Sequence, residues 1–132
     1  MHNPILAILA AGLAGWIFGA IWYTALGTVW QRAQGLDPEA CKGKKMPLAP
    51  MVVSFVAALV MSAVLYQLLS NLGVFGVEPA ALAGLTIGVG FLATSTLVNN
   101  MFQQKSFTMT LIDGGHWVLA VVVEAVVLSL LA

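Results

Sequence analysis

Three ionisable side chains lie inside one apolar stretch near the carboxyl terminus: Asp113, His116 and Glu124, within residues 111–132. In a helix these positions fall on one face, so we expect them to form a polar stripe. An imidazole titrates near neutral pH, and a carboxyl beside it can share its proton. A charged group on a lipid-embedded helix faces a bundle interior, a cavity or a partner. These residues therefore permit proton, cation or small-solute passage.

The same residues also permit a purely structural role, which we favour. Asp113 can cap or end a helix, His116 can hydrogen-bond to it, and Glu124 can hold neighbouring helices together. A lipid or hydrophobic-ligand site is a third alternative. The sequence has no nucleophile–base set, no HExxH and no phosphate-binding loop, so we expect neither an enzyme nor a cofactor.

Composition limits the class of protein. The chain of 132 residues is 61% hydrophobic and 8% charged, with a mean hydropathy of +0.99, whereas soluble domains carry about 25% charged residues. Lipid must therefore solvate much of the surface. The net charge is zero, which gives no reason to expect nucleic acid. Cys41 is the single cysteine and the histidines lie far from it, so we expect no metal site.

Four apolar segments cover residues 4–27, 50–72, 79–102 and 107–132. Each reaches the roughly 20 residues that a helix needs to cross a bilayer, and none alternates as a membrane β-strand would. The sequence predicts an all-α fold, a single domain over 1–132 built as an integral membrane bundle of four antiparallel helices. Residues 28–49 form the largest loop, with a short helix near 38–45 that starts at Asp37-Pro38.

The basic residues predict the orientation. All five lie between spans one and two or between spans three and four: Arg32, Lys42, Lys44, Lys45 and Lys105. Basic loops stay in the cytoplasm, so we expect both termini to be extracytoplasmic.

Glycines at four-residue spacing lie on spans one and three, at Gly15 and Gly19 and at Gly84 and Gly88. Such ridges allow close helix packing in membranes. They predict a homo-oligomer, with a dimer favoured, that Gly15→Leu or Gly88→Leu would weaken.

Two further groups could contribute to a site. Asn99, Asn100 and Gln103 form a polar stripe at the end of span three, which we expect to face Asp113 and His116. The second group is aromatic: Trp16, Trp22 and Tyr23 on span one. An interfacial aromatic belt explains it most simply, although the three rings could instead line a site.

Short motifs carry a family resemblance over nearly the whole chain. These are Gly19-x-x-Trp22-Tyr23, Gly35-Leu36 before an acidic cluster, Asn99-Asn100-x-Phe102, and Leu111-Ile112-Asp113 followed by a small residue and His116. The chain resembles the family called domain of unknown function 1761. The resemblance implies a small four-span protein of the bacterial inner membrane, surrounded by lipid. It implies no activity, so no catalytic residue carries over. Where the family's fourth-span pattern has an aromatic residue, this chain has His116 followed by Trp117.

Overall fold

A computed structural model of the chain describes residues 3–43 and 47–132. Within these residues the secondary structure is helical. The helices are α1 (Pro4–Ala25), α2 (Gly27–Ala33), α3 (Pro38–Cys41), α4 (Leu48–Leu72), α5 (Val77–Phe102) and α6 (Phe107–Leu131). Helices α1, α4, α5 and α6 are long and apolar enough to cross a membrane. The all-α bundle of four membrane helices is therefore confirmed.

Local sequence explains where the long helices begin and end. The Asn3 side chain accepts a hydrogen bond from the Ile5 amide at 2.9 Å, and Pro4 follows it as the first residue of α1. Ser106 caps α6 by accepting from the Met109 amide at 3.1 Å. Gly73 ends α4 with a φ of 67°, a left-handed conformation that glycine adopts without a steric penalty.

The region between α1 and α4 departs from the predicted loop. Helix α1 ends at Ala25, and after Leu26 the chain turns into α2. The short helix expected over 38–45 is only Pro38–Cys41, capped by Asp37. Lys44 and Lys45 lie outside the described residues, and Lys42 forms a surface ion pair with Glu39.

Helix α6 is the central element, and α1, α4 and α5 all pack against it. Helix α1 also packs along α4. The contacts run antiparallel: Gly15 meets Glu124 while Gly19 meets His116, and Gly84 meets Ala125 while Gly88 meets Val118. A hydrophobic cluster fills the half of the bundle near both termini; it includes Ala11, Leu65, Leu69, Ala80, Val121 and Leu128.

The glycine ridges serve this internal packing, which corrects the role predicted for them. A Cβ at Gly15 would lie 2.9 Å from Glu124 Cγ, and one at Gly19 would lie 2.8 Å from His116 Nε2. On α5, a Cβ at Gly84 would lie 3.1 Å from Ala125 Cβ, and one at Gly88 would lie 2.9 Å from Val118 Cα. All four glycines already face α6, so they do not offer a free surface to a second copy.

Helix α5 is not a regular α-helix throughout. It is α-helical over Val77–Ile87, π-helical over Gly88–Ala93 and α-helical again over Thr94–Phe102. A π-helical turn holds an extra residue, so it rotates the second half of α5 relative to the first. The orientation of the polar residues near Asn99 depends on this rotation.

Candidate functional site

Asp113 lies at the junction of α1, α2 and α6. Its Oδ1 accepts hydrogen bonds from the Tyr23 hydroxyl at 2.7 Å and from Trp30 Nε1 at 3.1 Å. At the preceding residue of α6, Trp22 Nε1 donates to the Ile112 carbonyl at 3.0 Å. The three donors come from α1 and α2, and both acceptors lie on α6. We call these five residues the aromatic clamp, because they tie α1 and α2 to α6.

Aromatic rings surround His116. Phe18 stacks on it with ring centroids 6.3 Å apart and planes at 11°, Tyr23 lies at 5.0 Å, and Trp117 lies at 4.7 Å. Nε2 points toward Gly19. Nδ1 is buried and has no hydrogen-bond partner among the described residues. His116 therefore packs chiefly through its ring.

The sequence suggested that Asp113 and His116 would form a proton-sharing pair, and the structure does not show that pair. The Asp113 hydrogen bonds go to Tyr23 and Trp30, and His116 Nδ1 is unbonded in the described part of the chain. The two side chains do share the α6 face that packs on α1. Tyr23 of α1 contacts both: its hydroxyl donates to Asp113 Oδ1, and its ring centroid lies 5.0 Å from that of His116.

Glu124 occupies the interior of the bundle. It is 2% exposed, and Gly15 of α1 lies directly against its carboxyl group. Within the described residues, Oε2 has no hydrogen-bond partner. It lies eight residues from His116, about 12 Å along the helix at 1.5 Å per residue. Direct hydrogen bonding between the two groups is therefore excluded, and the predicted polar stripe is not a continuous chain of bonds.

The polar stripe on α5 faces the interior at Asn100 only. Asn100 is 6% exposed, and its Nδ2 donates to Thr110 Oγ1 at 3.2 Å. Asn99 and Gln103 are exposed, which corrects the expectation that they face Asp113 and His116. Gln103 instead borders a polar surface recess of about 320 Å³ together with Gln34 and Lys105.

The predicted aromatic group separates into two. Trp22 and Tyr23 belong to the aromatic clamp. Trp16 faces α4, where its Nε1 donates to Ser54 Oγ at 3.1 Å and its ring meets Phe55 edge-on at 5.4 Å. Spacing explains the separation: Trp22 lies six residues after Trp16, and six residues rotate a helix by about 240°.

Sequence reasoning missed Trp30 and Phe18 as parts of this region. Trp30 lies in the segment predicted as a loop, although its position about one turn beyond the end of α1 is a usable signal. Phe18 reads as an ordinary apolar residue of a membrane span, and nothing in its spacing indicates a contact with His116. Among the described residues, no group of three or more His, Cys, Asp or Glu side chains could hold a metal ion.

Comparison with known proteins identifies the family. No curated protein and no solved structure matches the chain significantly. The family described as "Protein of unknown function (DUF1761)" matches residues 6–129. This range includes all four membrane helices apart from a few terminal residues, and it includes the aromatic clamp, His116 and Glu124. The chain is therefore a member of the DUF1761 family of proteins of unknown function.

Proposed function

We propose that this protein is a structural or accessory protein of the bacterial inner membrane. In this proposal its intramembrane polar side chains hold its own helices together and do not conduct a solute. The observation that supports it best is Asp113 Oδ1, which accepts hydrogen bonds from both α1 and α2. A group that releases and rebinds a solute needs access to it, whereas Oδ1 is already engaged by two aromatic donors.

The rest of the interior supports the same proposal. Ser62 is fully buried and donates to the Ile8 carbonyl at 2.8 Å, which ties α4 to α1. Asn100 and Thr110 join α5 to α6. Each of these bonds connects two neighbouring helices. Because lipid offers no strong hydrophobic force between helices, such bonds contribute to holding a bundle together.

The test measures flux and stability on the same preparations. Purified protein in liposomes should pass no more protons than empty liposomes under a potassium diffusion potential, and Asp113→Asn and Glu124→Gln should not change this. Flux in the wild type that both variants abolish would replace the structural proposal with proton passage.

The stability arm removes one donor of the clamp. Tyr23→Phe deletes the hydroxyl that binds Asp113, and loss of such a bond costs about 1–3 kcal/mol of unfolding free energy. Tyr66→Phe is the matched control, because Tyr66 is also half-buried and none of the side-chain hydrogen bonds found among the described residues involves it. Equal unfolding free energies for the two variants in detergent would contradict the role of the clamp.

A homo-oligomer, with a dimer favoured, remains part of the proposal but needs another surface. Thr86, Gly90 and Thr94 lie on the exposed side of α5 at four-residue spacing. Apart from its chain neighbours and the backbone of its own helix, no heavy atom of the described residues lies within 4 Å of the position that a Cβ at Gly90 would take. Small residues at this spacing favour close helix approach. We expect Gly90→Leu to reduce cross-linked dimer in detergent, and Gly27→Leu, which is also open, to leave it unchanged.

A further inference from the structure

Outside the aromatic clamp, Glu124 is the most deeply buried ionisable residue of the described chain. It is 2% exposed, although it carries up to one full charge. Its neighbours along the same face of α6 are apolar and buried: Ala120, Val121 and Leu128. Such a group normally has a partner, because burying a polar group without a hydrogen bond is unfavourable. Oε2 has none among the described residues.

The packing around the carboxyl group limits what it can bind. A Cβ built at Gly15 would lie 2.9 Å from both Cγ and Oε1 of Glu124. Even a methyl group does not fit between α1 and this side chain without movement. A hydrated cation or an organic ligand is far larger, and a metal ion needs several further oxygen ligands. A proton needs no additional space.

From this geometry we propose that Glu124 is an intramembrane proton-binding site, with Gly15 as the residue that makes room for its carboxyl group. The ligand is H⁺, which adds to one carboxylate oxygen and gives the neutral acid. This goes beyond a structural role, because it assigns an exchangeable ligand to the bundle interior. It does not require the site to conduct protons across the membrane.

Within the described residues, the helices around Glu124 place no charged side chain against it. Helix α1 presents Gly15 to it. On the helices that pack on α6, the other ionisable side chains of the described residues lie elsewhere: Tyr23 at Asp113, Tyr66 half-buried on α4, and Arg32 and Glu78 exposed at helix ends. On α6 itself, His116 and Asp113 lie about 12 and 16 Å away along the axis. Within the described part of the chain, these helices place no cation beside Glu124.

A hydrophobic carbodiimide tests the site from the lipid phase, because transient separation of α1 and α6 exposes the carboxyl group to the reagent. A protonated carboxyl adds to such a reagent: its proton moves to one carbodiimide nitrogen, and its oxygen bonds to the central carbon. The acyl group then shifts to nitrogen and gives a stable N-acylurea. No atom is lost, so the modified peptide gains the whole mass of the reagent. A water-soluble carbodiimide performs the same chemistry from the aqueous phase.

The full chain in liposomes is treated with dicyclohexylcarbodiimide at several pH values, and the adduct is mapped by mass spectrometry. We expect an adduct on Glu124 whose yield falls as the pH rises, and no adduct there with the water-soluble reagent. Glu78, which is exposed, should react with the water-soluble carbodiimide in preference to dicyclohexylcarbodiimide. The dicyclohexylcarbodiimide adduct should be absent from the Glu124→Gln variant and still present on Glu124 in the Glu78→Gln variant.

Because the adduct is mapped on the wild-type chain, the result does not depend on whether a variant folds. The proposal is overturned if Glu124 is unmodified at every pH, if its yield is independent of pH, or if the water-soluble reagent modifies it equally well. An adduct found only on Asp113 would also overturn it. The liposome flux experiment is independent, so failure of either proposal leaves the other identifiable.

Discussion

Two carboxyl groups on one face of α6 have opposite surroundings. Asp113 is half-buried and accepts hydrogen bonds from Tyr23 and Trp30. Glu124 is fully buried against a glycine, and its Oε2 has no partner in the described part of the chain. Asp113 and Glu124 are both carboxylic acids and lie on the same helical face, so the sequence alone does not distinguish them. The partners on α1, a tyrosine for one and a glycine for the other, separate a structural role from a proton-binding one.

At the residue scale, we expect Gly15 and Glu124 to be strongly coupled. Gly15→Ala places a methyl group 2.9 Å from Glu124 Cγ, and overpacking of this kind costs about 1–3 kcal/mol. In a Glu124→Ala background the clash is gone, so the same Gly15→Ala change should cost little or should stabilise by filling space. A double-mutant cycle of unfolding free energies in detergent measures the difference, expected at about 0.5–3 kcal/mol.

The control for this cycle is Gly114→Ala on α6. Gly114 is buried, yet apart from its chain neighbours and its own helix backbone no heavy atom of the described residues lies within 4 Å of the place where its Cβ would stand. Alanine also favours a helix over glycine by up to about 1 kcal/mol, so this variant should be as stable as the wild type or more so. If the effects of Gly15→Ala and Glu124→Ala are additive, the close contact between these two residues is not the reason that position 15 is a glycine.

At the element scale, the side-chain hydrogen bond that joins α2 to α6 comes from one tryptophan. Helix α2 follows α1 after the turn at Leu26, and the Trp30 side chain donates to Asp113 on α6. The Trp30 and Tyr23 rings also meet edge-on at 5.9 Å. Trp30→Phe removes the donor and preserves an aromatic ring.

We therefore expect Trp30→Phe to speed amide hydrogen exchange in Gly27–Ala33 while exchange in the middle of α1 stays unchanged, because local opening follows the loss of local contacts. Trp16→Phe is the matched control, since it removes an indole bond to Ser54 on α4 instead. If both variants leave α2 exchange at the wild-type rate, backbone packing alone holds α2 in place.

Hydropathy and helix-end chemistry are enough to predict the four spans, because lipid requires long apolar helices wherever the chain crosses it. Rotation about each helix axis is harder to predict. The π-helical segment Gly88–Ala93 puts Asn100 inside and leaves Asn99 exposed. An ideal helical wheel contains no such extra residue. The glycine ridges likewise indicate packing surfaces, but their spacing is the same whether a glycine meets its own chain or a second copy.

At the scale of the whole molecule, the remaining question is orientation. Arg32, Lys42 and Lys105 lie at the end of the bundle where α1 and α5 finish, and the connection between α4 and α5 at the other end carries no basic residue. The imbalance predicts that the basic end is cytoplasmic. Cysteine accessibility tests this in a Cys41→Ser background, with one new cysteine at each end. Phe75, which is 79% exposed, represents the α4–α5 connection, and Gln34 represents the basic end.

In intact cells, a membrane-impermeant maleimide should label Phe75→Cys and should reach Gln34→Cys only after the membrane is permeabilised. The reverse pattern would place both termini in the cytoplasm and would make the basic loops an exception to the charge rule. Labelling of both positions in intact cells would indicate two populations of opposite orientation. Either result would change which end of α6 faces outward. It would therefore also change the side of the membrane from which a proton reaches Glu124.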